Sequence, residues 1–131
     1  MIALLLLGAI DMAAVKAEPD SIKRGFLALD YAFERLADAR KQAGEGGTVE
    51  AFKAAADEVA AGAEFSVEAF KSGRRKTGDF KKAEVRTRDL LRRLETLRQD
   101  APLDDRPLVE AVEKRVRAVQ EELLSMVLGR R

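Results

Sequence analysis

The chain predicts an all-α protein, an up-down-up-down antiparallel four-helix bundle preceded by a short apolar N-terminal segment. Three observations carry this. Four segments of similar length repeat apolar residues at alternating steps of three and four, which is one face of an α-helix. Three short stretches containing glycine or proline separate them, and short connections make antiparallel neighbours the economical arrangement. The composition is 47% hydrophobic but only 5% aromatic, with 36% charged residues, a mixture that builds long helices rather than sheets. At 131 residues the chain is one domain by length.

Residues 1–17 stand apart. Positions 2–10 are almost unbroken apolar sequence, followed by Asp11, Lys16 and Glu18-Pro19. The run has the length of a secretory signal core, about 7–15 residues, and Val15-Lys16-Ala17 offers a cut after Ala17. Two features oppose that reading: no basic residue precedes the run, and Asp11 interrupts it. The alternative is a retained apolar helix docked on the body of the protein. A membrane-spanning helix needs about 20 apolar residues, so the run is too short for one. The expectation is an exported protein, periplasmic or extracellular, or a cytoplasmic one if the segment is retained.

Residues 18–131 form the bundle. Its first helix, about 20–43, carries Ile22, Phe26, Leu29, Phe33 and Leu36 on one face. Glu18, Asp20 and Ser21 are its candidate caps, with Pro19 suited to a first helical position. Leu27 and Tyr31 lie on its opposite face. The second helix, about 48–72, is capped by Thr48 and displays Phe52, Ala56, Val59, Ala63, Ser66 or Val67, and Phe70, with other alanines that let neighbours approach closely. Phe65 falls off that stripe. Leu27, Tyr31 and Phe65 are therefore a candidate apolar contact, and the landing place for the N-terminal segment if it is kept. The third helix, about 78–100, has Thr77 or Asp79 as cap and Phe80, Thr87, Leu90, Leu94 and Leu97 as its stripe. The fourth, about 105–128, has Asp104 or Asp105 as cap, Pro107 in its first turn, and Leu108, Val112, Val116, Val119, Leu123 and Met126 or Val127 inward.

Net charge is only +1, but its distribution is uneven. Residues 18–70 sum to −5, while in 71–98 eleven Lys/Arg against four Asp/Glu give +7. On the third helix the cations form two rows, Lys82, Arg86 and Arg93, then Lys81, Arg88 and Arg92. In an up-down bundle the second helix, rich in Glu, stands beside the third, so the first expectation is acid–base pairing between those two. The alternative is a docking surface for an acidic protein or an anionic membrane. Nucleic acid is disfavoured, because Asp89 and Glu95 interrupt the rows and no aromatic is interleaved for base stacking.

The chain has no Cys and no His. Disulfides, thiolate sites, the usual general base and the usual transition-metal ligand are thereby excluded. Carboxylate pairs such as Glu34 with Asp38 and Glu64 with Glu68 face outward on the wheel, unlike the inward acids of di-metal bundles. Gly44-Glu45-Gly46-Gly47 lacks the lysine of a phosphate loop. Arg40 and Arg115 fall near the apolar faces and are read as snorkelling at bundle edges. The layout resembles that of small exported cytochrome-type bundles, but every haem ligand is missing, so that function does not carry over. No catalytic residue, cofactor or metal set is expected. The expected function is non-enzymatic: a structural or protein-binding module with an unknown partner or self-association. A docking module working through the basic third helix, with peripheral membrane contact, is the alternative, and an enzyme with unrecognised carboxylate or lysine chemistry ranks last.

Overall fold

The computed structural model describes residues 10–44, 47–73 and 77–129. Most of the apolar run, residues 2–9, together with Glu45, Gly46 and the basic triplet 74–76, lies outside them. Among the described residues there are five α-helices and no strand: α1 (Met12–Ala17), α2 (Ser21–Gly44), α3 (Val49–Ser72), α4 (Thr77–Asp100) and α5 (Arg106–Val127). The last four pack as an all-α four-helix bundle. Its single core unites Leu29 and Leu36 of α2, Phe52, Val59 and Phe70 of α3, Leu90, Leu94 and Leu97 of α4, and Val112, Val116 and Leu123 of α5. Ile22, Phe26 and Phe33 pack against this core while keeping part of their rings or chains at the surface.

The caps follow from local chemistry. Thr48 is extended and its hydroxyl accepts from Ala51 N at 3.0 Å, so α3 starts where a side chain can satisfy an orphan donor. The Asp20 carboxylate accepts from Ile22 N and Lys23 N at 2.9 and 3.1 Å. That places the start of α2 after Asp20 and leaves Pro19 outside the helix rather than in its first turn. Thr77 likewise belongs to α4 instead of preceding it. Asp105 does not cap α5 through its side chain: its backbone is already helical, and the chain turns through a short 3-10 segment, Leu103–Asp105. A capping side chain needs extended backbone, which that turn removes. Gly129, with φ +75°, takes the left-handed position that ends α5.

Neighbour relations set where the charges go. Packing contacts join α2 to α3, α4 to α5, α3 to α5, and α2 to α4. Chain direction alternates as expected, but α3 and α4, consecutive in sequence, stand diagonally across the bundle. The ring order is α2, α3, α5, α4. Parallel neighbours result: Arg86 reaches Asp30 and Lys82 reaches Phe26 between α2 and α4, while Arg115 reaches Glu64 and Lys71 reaches Glu122 between α3 and α5. The expected acid–base pairing between the second and third long helices is therefore not the arrangement found.

The α2–α3 pair is the tightest, because small residues sit where the helices meet. A Cβ on Gly25 would lie 2.5 Å from the Phe70 ring, and one on Gly62 would lie 3.0 Å from the Tyr31 ring and 3.1 Å from the Ala28 carbonyl oxygen. Close approach here is what lets Phe26 meet Phe70 edge-on at 4.9 Å between centroids.

Candidate docking surface

The two cationic rows of α4 have different surroundings. Lys82, Arg86 and Arg93 face α2. Arg86 Nη1 donates to Asp30 Oδ1 at 2.7 Å, and its guanidinium lies 4.9 Å from the Phe33 ring centroid. Arg93 approaches the same ring at 5.2 Å, and Lys82 lies 5.7 Å from the Phe26 centroid. This row is part of the packing of α2 against α4, with cations over aromatic faces in place of the expected carboxylates of α3. Lys81, Arg88 and Arg92 lie on the other side and are exposed. Arg88 meets both oxygens of Glu84, at 2.9 and 3.0 Å, and Arg92 donates to Asp89 at 2.9 Å.

The exposed row borders a groove between α4 and α5. One part is lined by Val85, Arg88, Leu91, Arg92, Glu95, Arg98, Glu113 and Arg117. It continues past Arg98, Glu113 and Arg117 to Glu110, Ala111 and Lys114. Val85 is 52% exposed, a large apolar side chain held open to water beside arginines. Two glutamates are nearly buried at the seam. Glu84 accepts from Arg88 and from Gln120 Nε2 at 2.6 Å, and Glu113 accepts from Arg98 Nε at 2.7 Å. That hydrogen bond, with the Glu113 charge, raises the Arg98 guanidinium above its ordinary value. Sequence reasoning missed both glutamates. Their only signal is position: each interrupts an apolar helical repeat, Glu84 between Phe80 and Thr87, Glu113 between Val112 and Val116.

A second surface lies on the far side of the bundle, where α1 covers α2 and α3. Asp11 is extended and accepts from Ala14 N at 2.7 Å, so the residue that interrupts the apolar run is the N-cap of α1. Val15 is fully buried against Ala28 and Tyr31, with Ile10, Met12, Leu27 and Phe65 packed around them. Glu34 accepts from Ile10 N at 2.9 Å. Tyr31 donates its hydroxyl proton to Glu58 of α3, and the Arg35 guanidinium lies 5.2 Å from its ring centroid. Burial, then the hydrogen bond to Glu58, pushes the Tyr31 hydroxyl up to about 12. Leu27, Tyr31 and Phe65 thus share one site, occupied by α1 of the same chain. Elsewhere, Arg115 forms a two-pronged pair with Glu64 at 2.7 and 2.9 Å, and Arg40 is exposed at the surface of α2.

Comparison with protein families, curated proteins and solved structures finds no match to this chain.

Proposed function

We propose that the protein is a non-catalytic helical module that acts by binding another protein, with the outer face of α4 and α5 as the contact. The observation that supports this is Val85, half-exposed in a groove whose rim is arginine. Arginine and apolar side chains around a depression are the chemistry of an interface centre. In the inward row Arg86 is paired with Asp30 of α2 and Lys82 and Arg93 lie over its phenylalanines, whereas Arg88 and Arg92 of the outer row pair with carboxylates of α4 itself and face away from α2. Lysine-reactive cross-linking of the intact protein, in cells that produce it, tests the reading. Links to a second protein from Lys81 and Lys114 are expected. Inter-protein links confined to Lys23, Lys41 or Lys53, or none, would overturn it.

Export by a cut after Ala17 and retention of α1 predict different mature termini. We propose retention, supported by the burial of Val15 and by Asp11 acting as a cap. A cut would uncover Ala28 and Tyr31 of the second surface. N-terminal sequencing of protein recovered from separated cell fractions decides it, and a terminus at Glu18 would favour export.

A further inference from the structure

We infer that the α4–α5 groove receives an acidic amphipathic helix of the partner protein, its carboxylates taken by Arg88 and Arg98. This rests on the protein-binding reading and names the chemistry of the partner. The argument begins with Glu84 and Glu113, whose side chains are only 7% and 8% exposed. A buried carboxylate is costly unless paired, so each of these holds its arginine firmly. A guanidinium has five N–H donors in a fixed fork. Glu84 engages two nitrogens of Arg88, and Glu113 engages Nε of Arg98, leaving donors on both heads for a further acceptor. The buried glutamates thus hold two arginines in place before any ligand arrives, which lowers the ordering cost of binding.

Spacing and shape then select the occupant. Arg88 and Arg98 are ten residues apart on α4, about 15 Å along its axis. On a partner helix lying along the groove, acids eleven residues apart return to one face after three turns and span about 16 Å. Leu91 lies between the two arginines and Val85 one turn beyond Arg88, so apolar residues between and beside the two acids have somewhere to sit. The groove is not simply basic. Glu95, Glu110 and Glu113 line it with the cations, which favours carboxylates at particular places over a uniformly anionic surface.

The probe is a fluorescent synthetic helix with leucines on one face and two glutamates eleven residues apart, against the same peptide with both changed to glutamine. Binding is read by anisotropy on the full chain, at low and physiological salt. The glutamate peptide is expected to bind at least about tenfold tighter, one decade being the effect of a modest charged contact. Val85→Asp and Arg117→Glu leave both buried glutamates paired, so they should keep the native melting curve while weakening that peptide by a similar factor. Equal affinity for the two peptides, or undiminished affinity in both variants, would overturn the inference. So would anionic phosphatidylserine vesicles displacing the peptide more strongly than unlabelled peptide does, or a dimer of the chain that these variants dissociate. If Lys81 and Lys114 still cross-link to a protein while the peptide fails, the acidic helix is wrong and the protein-binding reading stands. Loss of those cross-links as well removes both.

Discussion

Tyr31 is the one tyrosine of the chain, and there is no tryptophan, so tyrosinate absorbance reports on this residue alone. Burial and Glu58 raise its hydroxyl from 10.0 to about 12. The folded state therefore keeps a proton that the unfolded chain loses, and the stability this confers is whole below pH 10 and is lost as pH rises through about 12. An absorbance midpoint near 12 is expected for the full chain, moving toward 10 when residues 1–17 are deleted. Tyr31→Phe should flatten the fall in stability across that window. A midpoint at the ordinary value in the full chain would contradict the packing of α1. Gly25 makes a second case at this scale. Alanine there gains about 1 kcal/mol of helix propensity, but its methyl meets the Phe70 ring in a closely packed seam, where overpacking costs about 1–3 kcal/mol. A net loss on thermal or urea unfolding is expected. Nothing in the sequence marks Gly25 as a contact, because a lone helical glycine reads only as a weak point until its neighbour is known. The opposite holds for Leu27, Tyr31 and Phe65: their displacement from the stripes is visible in the periodicity, though not what lies on them.

Among the elements, α4 shows which features a sequence carries and which it does not. Its apolar stripe is legible, since Phe80, Thr87, Leu90, Leu94 and Leu97 all lie in the interior. Leu94→Ala should cost about 2–5 kcal/mol in denaturant unfolding, because Leu94 is fully buried. Phe33→Ala on α2 should cost less than a fully buried phenylalanine would, for its ring is partly exposed beneath Arg86 and Arg93. An equal or larger loss at Phe33 would show that the ring is fully enclosed. The two cationic rows are legible from the helix wheel as well. Which row is engaged is not, because that depends on whether α2 or α3 stands beside α4. Glu84 and Glu113 were hidden for a related reason. Periodicity places a residue on a face, but a carboxylate on an inward face survives only if a partner from its own or a neighbouring helix satisfies it.

At the scale of the whole molecule, the ring order redistributes charge that the sequence shows only as segments. The parallel pair α2 and α4 carries twelve Lys/Arg against eight Asp/Glu, and α3 with α5 carries six against nine. One wall of the bundle is thus basic and the other acidic, whereas acid–base neighbours would have cancelled. Because Lys82, Arg86 and Arg93 cover phenylalanines of α2, changing all three to glutamine should cost about 1–3 kcal/mol by loss of cation–π and packing contacts. Melting unchanged within error would show these contacts to be incidental. The order itself could not be read from connection lengths, since a short link joins helices at one end whether they are adjacent or diagonal. The absence of native cysteine makes a direct test simple. Cysteines at Asp30 and Arg86, or at Glu64 and Arg115, replace side chains already in contact across parallel neighbours. A short bifunctional maleimide should join each pair within one chain and shift its mobility on a denaturing gel. Cysteines at Glu68 and Lys82 would come together only if α3 and α4 were an adjacent antiparallel hairpin, and they should stay unlinked. Efficient linking of that third pair, with the first two unlinked, would replace the diagonal order by the sequential one and return the charges of α4 to the carboxylates of α3.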